Sequence, residues 1–281
     1  MMTVISTVTL PSGSKVPALG QGTWYMGDDA RRRTEEADAL KLGIDLGMSL
    51  IDTAEMYASG GAEEVVAEAI RGQRDSVFVV SKVLPSNASR DGTIKACEQS
   101  LRRLQTDVID LYLLHWRGGY ALEETVAAFE TLMESGKIRS WGVSNFDIDD
   151  MEDLDAVAGG AAVSVNQILY NLKRRGPEVA LMPWCSSRSI PLMAYSPIEQ
   201  GRLLNHPSLT GIAQELETTA AAVALGWVLS HDGVIAIPKS SNPEHIRSNR
   251  LAADLELTPA HLNALDRAFR RPTNRVPLEM L

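Results

Sequence analysis

Four polar residues fall at intervals that suit one catalytic centre. Asp52 closes the apolar run MSLID, Lys82 closes VFVVSK, His115 closes DLYLLH, and Tyr57 follows Asp52 by five residues. The steps from 52 to 82 and from 82 to 115 are 30 and 33 residues, each about one strand–helix–strand unit. If the three runs are neighbouring parallel strands, their ends lie only about 5 Å apart. An acid, a base, an imidazole and a phenol at one rim suit carbonyl reduction. A phenol with a pKa near 10 is a weak proton donor at neutral pH. A neighbouring ammonium is expected to lower that value, and a carboxylate would fix the ammonium. His115 would bond the carbonyl oxygen or assist proton transfer, and acid catalysis of this kind gives roughly 10²–10⁴-fold. The hydride must come from a cofactor, because no side chain supplies one. Each residue alone has an ordinary explanation as a cap, a snorkelling lysine, a core histidine or a loop tyrosine. Those explanations do not bring all four to one rim.

The elements that must position them form a rhythm. After a short hairpin in TVTLPSGSKVPAL come eight apolar runs: ALGQGT, MSLID, SVFVVSK, DVIDLYLLH, IRSWGVS, AVSVNQ, IPLMAYS and GVIAIPKS. Helical stretches follow them, predicted over 34–46, 62–71, 93–104, 122–135, 148–158, near 178–188, over 207–230 in two pieces, and over 243–252. The runs are nearly continuous in apolar residues, as strands buried on both faces should be. Asn242-Pro243 and Thr258-Pro259 read as helix starts, and Gly72 and Gly136 as helix ends. A last helix, 259–270, lies outside the repeats. Eight such units without a linker predict a (β/α)8 TIM barrel over residues 1–281, with an N-terminal β-hairpin cap and an extra C-terminal helix. An open doubly wound sheet is the alternative. Its Gly-rich first turn is missing, because GQGTWYMG lacks the third glycine and does not open a helix.

Composition sets limits. The 281 residues are 44% hydrophobic and 22% charged, an ordinary globular balance. A net charge of −9 argues against nucleic acid or an anionic membrane surface as partner. MMTVISTVTLPSGS has no basic segment before an apolar core, and the longest apolar run, Ala220 to Leu229, is too short for a membrane span. Two cysteines, Cys97 and Cys185, lack metal-ligand spacing, so no metal is expected. A cytoplasmic protein, working as a monomer on a small-molecule substrate, is the expectation.

GMSLIDTAEMY, VSKV, LYLLHW, KIRSWGVSNF, NQILYN, AYSP and IPKSS resemble, in order and nearly end to end, the signatures of the aldo/keto reductase family. QGTWYMG, DTAEMYASGGAE and LYLLHW are most similar to its bacterial members that reduce methylglyoxal. The resemblance implies an oxidoreductase on a (β/α)8 barrel that binds NADPH without a Rossmann motif. It implies Tyr57 as general acid, Lys82 and Asp52 as its activating pair, and His115 as the imidazole that orients the carbonyl. Gly22, Thr23 and Trp24 match the loop beside the nicotinamide. Ser144, Asn145 and Gln167 match the residues that bond its carboxamide, and Tyr195 the aromatic stacked on its face. The Ser196-Pro197-Ile198 turn would follow the pyrophosphate.

Lys239 and Ser240, before the helix start at Asn242-Pro243, form a candidate anion site, which the family uses for the adenosine 2′-phosphate. Arg247 and Asn249 match there, but His245 stands where many members carry arginine. A mostly neutral histidine should weaken discrimination against NADH. Trp24, Tyr25 and Trp116, with Tyr57 and His115, are expected to wall a compact carbonyl site. The tail after Arg271 is short. Small aldehydes and α-ketoaldehydes such as methylglyoxal are the expected substrates.

Two rival functions are weighed. Some members of the family are nicotinamide-binding regulatory subunits of ion channels, but all four catalytic positions are filled here. A Schiff-base lyase would use Lys82 as nucleophile. That role needs a depressed lysine pKa, which Asp52 opposes.

Overall fold

The computed structural model of the chain describes residues 4–281; the first three residues of the stretch read for a leader lie outside them. Strands β1 (Thr7–Thr9) and β2 (Lys15–Pro17) pair antiparallel as the expected hairpin. Eight parallel strands follow in sequence order: β3 (Gln21–Gly22), β4 (Leu50–Asp52), β5 (Phe78–Val83), β6 (Ile109–Leu114), β7 (Ile138–Ser144), β8 (Asn166–Leu169), β9 (Leu192–Tyr195) and β10 (Val234–Ala236). Between and after them lie α1 (Arg33–Asp45), α2 (Gly61–Ile70), α3 (Arg90–Leu104), α4 (Leu122–Glu134), α5 (Ile148–Asp155), α6 (Leu181–Ser187), α7 (Pro207–Glu215), α8 (Ala220–Leu229), α9 (Pro243–Leu251) and α10 (Pro259–Ala268).

The sheet closes on itself. Ala236 N–H donates to the Ala18 carbonyl and Gly20 N–H to that of Ala236, both at 2.8 Å, and Gly22 N–H donates to Pro238 at 3.0 Å. A Cβ at Gly22 would sit 2.9 Å from the Ile237 carbonyl oxygen, so the seam needs a residue without one there. Closure removes the open-sheet alternative.

Strand periodicity then sorts the side chains. Leu50, Val80, Leu111, Leu113, Val165, Met193, Ile235 and Ile237 fill the barrel interior, and Leu10 and Val16 of the hairpin join them as a plug. Their neighbours Ile51, Val79, Tyr112, Leu114, Trp141 and Ala194 pack outward with the helices. Successive side chains alternate faces, so the inward set continues to Gly22, Asp52, Lys82, His115, Gln167, Tyr195 and Lys239. Every one lies at a C-terminal strand end or just beyond it. That end of such a barrel carries the chemistry.

Two elements differ from expectation. AVSVNQ was expected to be strand over its length, but a 3-10 turn at Gly160–Ala162 takes its start and β8 begins at Asn166. The helix near 178–188 is split: Gly176–Val179 forms a 3-10 turn behind Pro177, Ala180 is non-helical with φ −139°, and α6 starts at Leu181. Pro177 suits the first position of a helical turn and has no N–H to continue one.

Candidate active site

Lys82 lies at the bottom of the site, its side chain fully inaccessible. Its Nζ donates to Asp52 Oδ2 at 2.7 Å, to the Thr53 carbonyl at 2.9 Å and to Tyr57 Oη at 3.2 Å. Three acceptors use all three ammonium protons. Tyr57 sits in the 3-10 segment Tyr57–Gly60 that joins β4 to α2, where Ala58 and Ser59 adopt positive φ. That tight turn brings the phenol back over the strand ends. The His115 ring meets the Tyr57 ring edge-on at 5.8 Å, and its backbone N–H extends the β5–β6 ladder to the Val83 carbonyl at 3.0 Å.

Burial and charge compete on these groups. Burial pushes the Asp52 carboxyl up, while Lys82 and Gln167 pull it back. Burial would push Lys82 down, but the charge and hydrogen bonds of Asp52 and Tyr57 together outweigh it and hold the ammonium above the ordinary lysine value. The ammonium is thus held on Lys82, which is no nucleophile, and the lyase reading loses its requirement. The expected lowering of the Tyr57 pKa is not what the site does. Burial dominates and leaves the phenol above its ordinary value, with Lys82 only partly offsetting it. Burial, then the Lys82 charge, lowers His115 to about 2, so its imidazole is neutral. Its Nδ1 is buried without a partner among the described residues, which leaves Nε2 to meet a ligand.

A cleft of about 630 Å³ runs across this floor. Gly22, Thr23, Trp24, Tyr25, Asp52, Tyr57, His115, Trp116, Ser144, Asn145, Gln167, Tyr195, Ser196, Pro197, Ile198, Lys239 and His245 all line it. Trp24 and Tyr25 stack at 4.5 Å, and Tyr25 takes a strained φ of 66°. Ser240, next in sequence to the lining residue Lys239, is half-buried and does not itself line the cavity. Arg247 is exposed on α9 and Asn249 is buried within it, and neither lines the cavity.

The three residues expected at a carboxamide are tied to one another and to the catalytic floor. Ser144 Oγ donates to the Gln167 carbonyl at 2.9 Å, and Asn145 Nδ2 to the His115 carbonyl at 3.1 Å. Asn145 Oδ1 accepts from Tyr195 Oη at 2.8 Å, and Gln167 Nε2 donates to Asp52 Oδ1 at 2.7 Å. Asp52 thus has one oxygen on Lys82 and the other on Gln167.

Sequence reading missed part of the lining. Met56, Gln200, Leu204, Met280 and Leu281 also face the cleft. The loop 196–201 holds Ser196, Glu199 and Gln200 at positive φ. It is anchored by the buried Glu199 carboxylate, which accepts from Asn171 and Arg174, each at 2.9 Å. The tail reaches the cleft because Arg275 pairs with Asp149 at 2.8 Å and Glu279 with Arg174. Its only sequence signal is an apolar pair closing a polar segment. A larger cavity, about 860 Å³, opens at the starts of β9 and β10. Its buried Arg175 is already engaged by Glu178, Asp266 and the Phe269 carbonyl.

Known proteins resemble this chain over most of its length. Residues 18–270 match the model of the aldo/keto reductase family. The chain is 52% identical over 271 residues to the methylglyoxal reductase YeaE of Escherichia coli, covering 95% of each protein. It is 36% identical over 263 residues to a glyoxal reductase of Bacillus subtilis, covering 92% of this chain and 91% of that one. Among solved structures, an aldo-keto reductase from Klebsiella pneumoniae in complex with NADPH superposes with a TM-score of 0.97 at 49% identity, over 99% of this chain and 100% of that one. The chain belongs to the aldo/keto reductase family.

Proposed function

From that membership we propose an NADPH-dependent reductase that converts small aldehydes and α-ketoaldehydes of the methylglyoxal kind to alcohols. The observation that carries the reading is the chain Gln167–Asp52–Lys82–Tyr57, held at 2.7, 2.7 and 3.2 Å on the floor of the cleft.

The residues fit the cofactor. Lys239 is half-buried and has no ion pair among the described residues; burial pushes its pKa down, so an anion beside it would relieve that cost. Lys239 and Ser240, with His245, Arg247 and Asn249 on α9, would hold the 2′-phosphate end. Ser196, Pro197 and Ile198 would follow the pyrophosphate. Tyr195 would stack on the nicotinamide beside Gly22, Thr23 and Trp24, and Ser144, Asn145 and Gln167 would bond its carboxamide. When bound, the nicotinamide supplies the hydride.

The remaining chemistry belongs to side chains. Tyr57 gives its proton to the carbonyl oxygen, and Lys82 stabilises the phenolate left behind until solvent reprotonates it. Asp52 keeps Lys82 charged and aimed, and Gln167 holds Asp52. Neutral His115 presents Nε2 to the carbonyl oxygen without adding a second positive charge. Trp24, Tyr25 and Trp116 wall the substrate side and suit a compact carbonyl.

We also take the working unit to be one domain and a monomer in the cytoplasm. All these residues come from one chain, both cysteines are buried free thiols, and no described helix is long and apolar enough to cross a membrane. Sedimentation showing a stable dimer would contradict the monomer. For the activity, initial rates of NADPH consumption with methylglyoxal and short aldehydes should exceed those with bulky ketones. Poor rates with every short aldehyde beside good rates with a bulky ketone would overturn the substrate assignment.

A further inference from the structure

A phosphate monoester carries about −1.5 to −2 charge at pH 7, and Lys239 can neutralise only one unit of it. The helix beyond Lys239 adds little positive charge on the cleft side. His245 faces the cleft. Arg247, two residues further along α9 and about 200° round the helix, lies like Arg32 outside the cavity lining and adds its charge from the helix side.

A second cation reaches this place from the other end of the sequence. Arg32 closes the 3-10 turn Ala30–Arg32 that leads into α1. Its Nη2 donates to Ser241 Oγ at 3.0 Å, across 209 residues, and to Glu35 Oε1 at 3.1 Å. Its Nε and Nη1 make no hydrogen bond among the described residues. The side chain remains about half exposed, at 47%. The guanidinium therefore stands over the Ser240–Ser241 turn with donors to spare. Lys239 feels it: after burial, with Glu36 opposing, the Arg32 charge further lowers the lysine. Lys239 has no ion pair among the described residues, with Glu36 and Asp28 acting on it only at longer range, and Arg32 keeps Nε and Nη1 free beside its Glu35 contact, so both retain donors for an anion.

We propose that Arg32 is a specificity-determining residue that, with Lys239, clamps the 2′-phosphate of NADPH across the Ser240–Ser241 turn. The inference rests on the NADPH reading above and deepens it. It offers a second source of positive charge where His245 stands in place of arginine, because this guanidinium comes from the loop after β3 instead of from α9. NADH, lacking that phosphate, should not sense Arg32 at all.

Direct binding separates the two claims. NADPH and NADH are titrated separately into wild type, Arg32→Ala and Arg32→Lys, following the fluorescence of Trp24 and Trp116 at the cleft. Arg32→Ala is expected to raise the NADPH Kd about 10-fold, the scale of one charge-assisted hydrogen-bonded contact. The NADH Kd should stay within about 2-fold of wild type, and lysine should restore part of the loss because it keeps the charge without the fork. If wild type prefers NADPH and Arg32→Ala leaves that preference intact, the inference is overturned and the NADPH reading stands. If both Kd values rise together, Arg32 supports the loop and reads no phosphate. If wild type binds the two cofactors equally, the NADPH reading beneath it fails.

Discussion

Tyr57 experiences two opposing effects of similar origin. Withdrawal from water disfavours its phenolate, while the Lys82 ammonium 3.2 Å away favours it. With burial dominant, the phenol stays protonated through neutral pH, which suits an acid that must hold its proton until the carbonyl oxygen gains charge. In the proposed reaction Lys82 matters most at that moment, because the phenolate then has a fixed cation beside it and needs no solvent reorganisation. The sign of the pH effect follows. Reduction needs the protonated phenol, so kcat should hold through neutral pH and fall as pH rises through the Tyr57 ionisation. In Lys82→Met the stabilising charge is gone, so the alkaline fall should move to higher pH while kcat at pH 7 drops about 100-fold or more. The double variant Asp52→Asn, Lys82→Met guards against an unpaired buried carboxylate and should show the same pH displacement. An alkaline limb that stays in place in both would remove Lys82 from proton transfer.

Strands carry most of the positioning. Period-two alternation points Asp52, Lys82, Gln167 and Tyr195 inward from β4, β5, β8 and β9, and parallel pairing brings their ends together. This much was legible in the sequence, because apolar runs ending in polar residues encode both the strand and the rim. The bonds among those residues were not legible. Gln167 reaching Asp52 spans 115 residues, and Arg32 reaching Ser241 spans 209; such pairs exist only once the barrel has closed. The tail is the same case. Its Leu278 N–H donates to Asp147 at 3.2 Å and Arg275 clasps Asp149, placing Met280 and Leu281 in the cleft wall. Replacing both with alanine should raise KM for methylglyoxal several-fold, since each lost apolar contact is worth about 1 kcal/mol or more. The melting temperature should hardly change, because Met280 is 53% and Leu281 50% exposed. Unchanged KM would show that the tail covers the cleft without shaping the substrate's surroundings.

At the scale of the whole molecule, closure of the barrel makes one rim out of eight strand ends. The seam at Gly22 lies beside both Ile237 and Lys239, so the residue that closes the barrel also lines the cleft. The eightfold rhythm, the hairpin plug and the extra helix could be read from apolar runs and helix signals. The breaks behind Gly160 and Pro177 were less visible, since local strand and helix preferences there yield to packing. A net charge of −9 says nothing of local clustering, so Arg32 beside the Ser240–Ser241 turn could not be read from it. This rim is proposed to transfer a proton from Tyr57 in an NADPH-dependent reduction. The most direct measurement is NADPH binding and methylglyoxal turnover on one preparation of Tyr57→Phe. The account predicts an NADPH Kd within about 2-fold of wild type and turnover lower by roughly 10²–10⁴-fold. Turnover near the wild-type rate, with NADPH still bound, would contradict it.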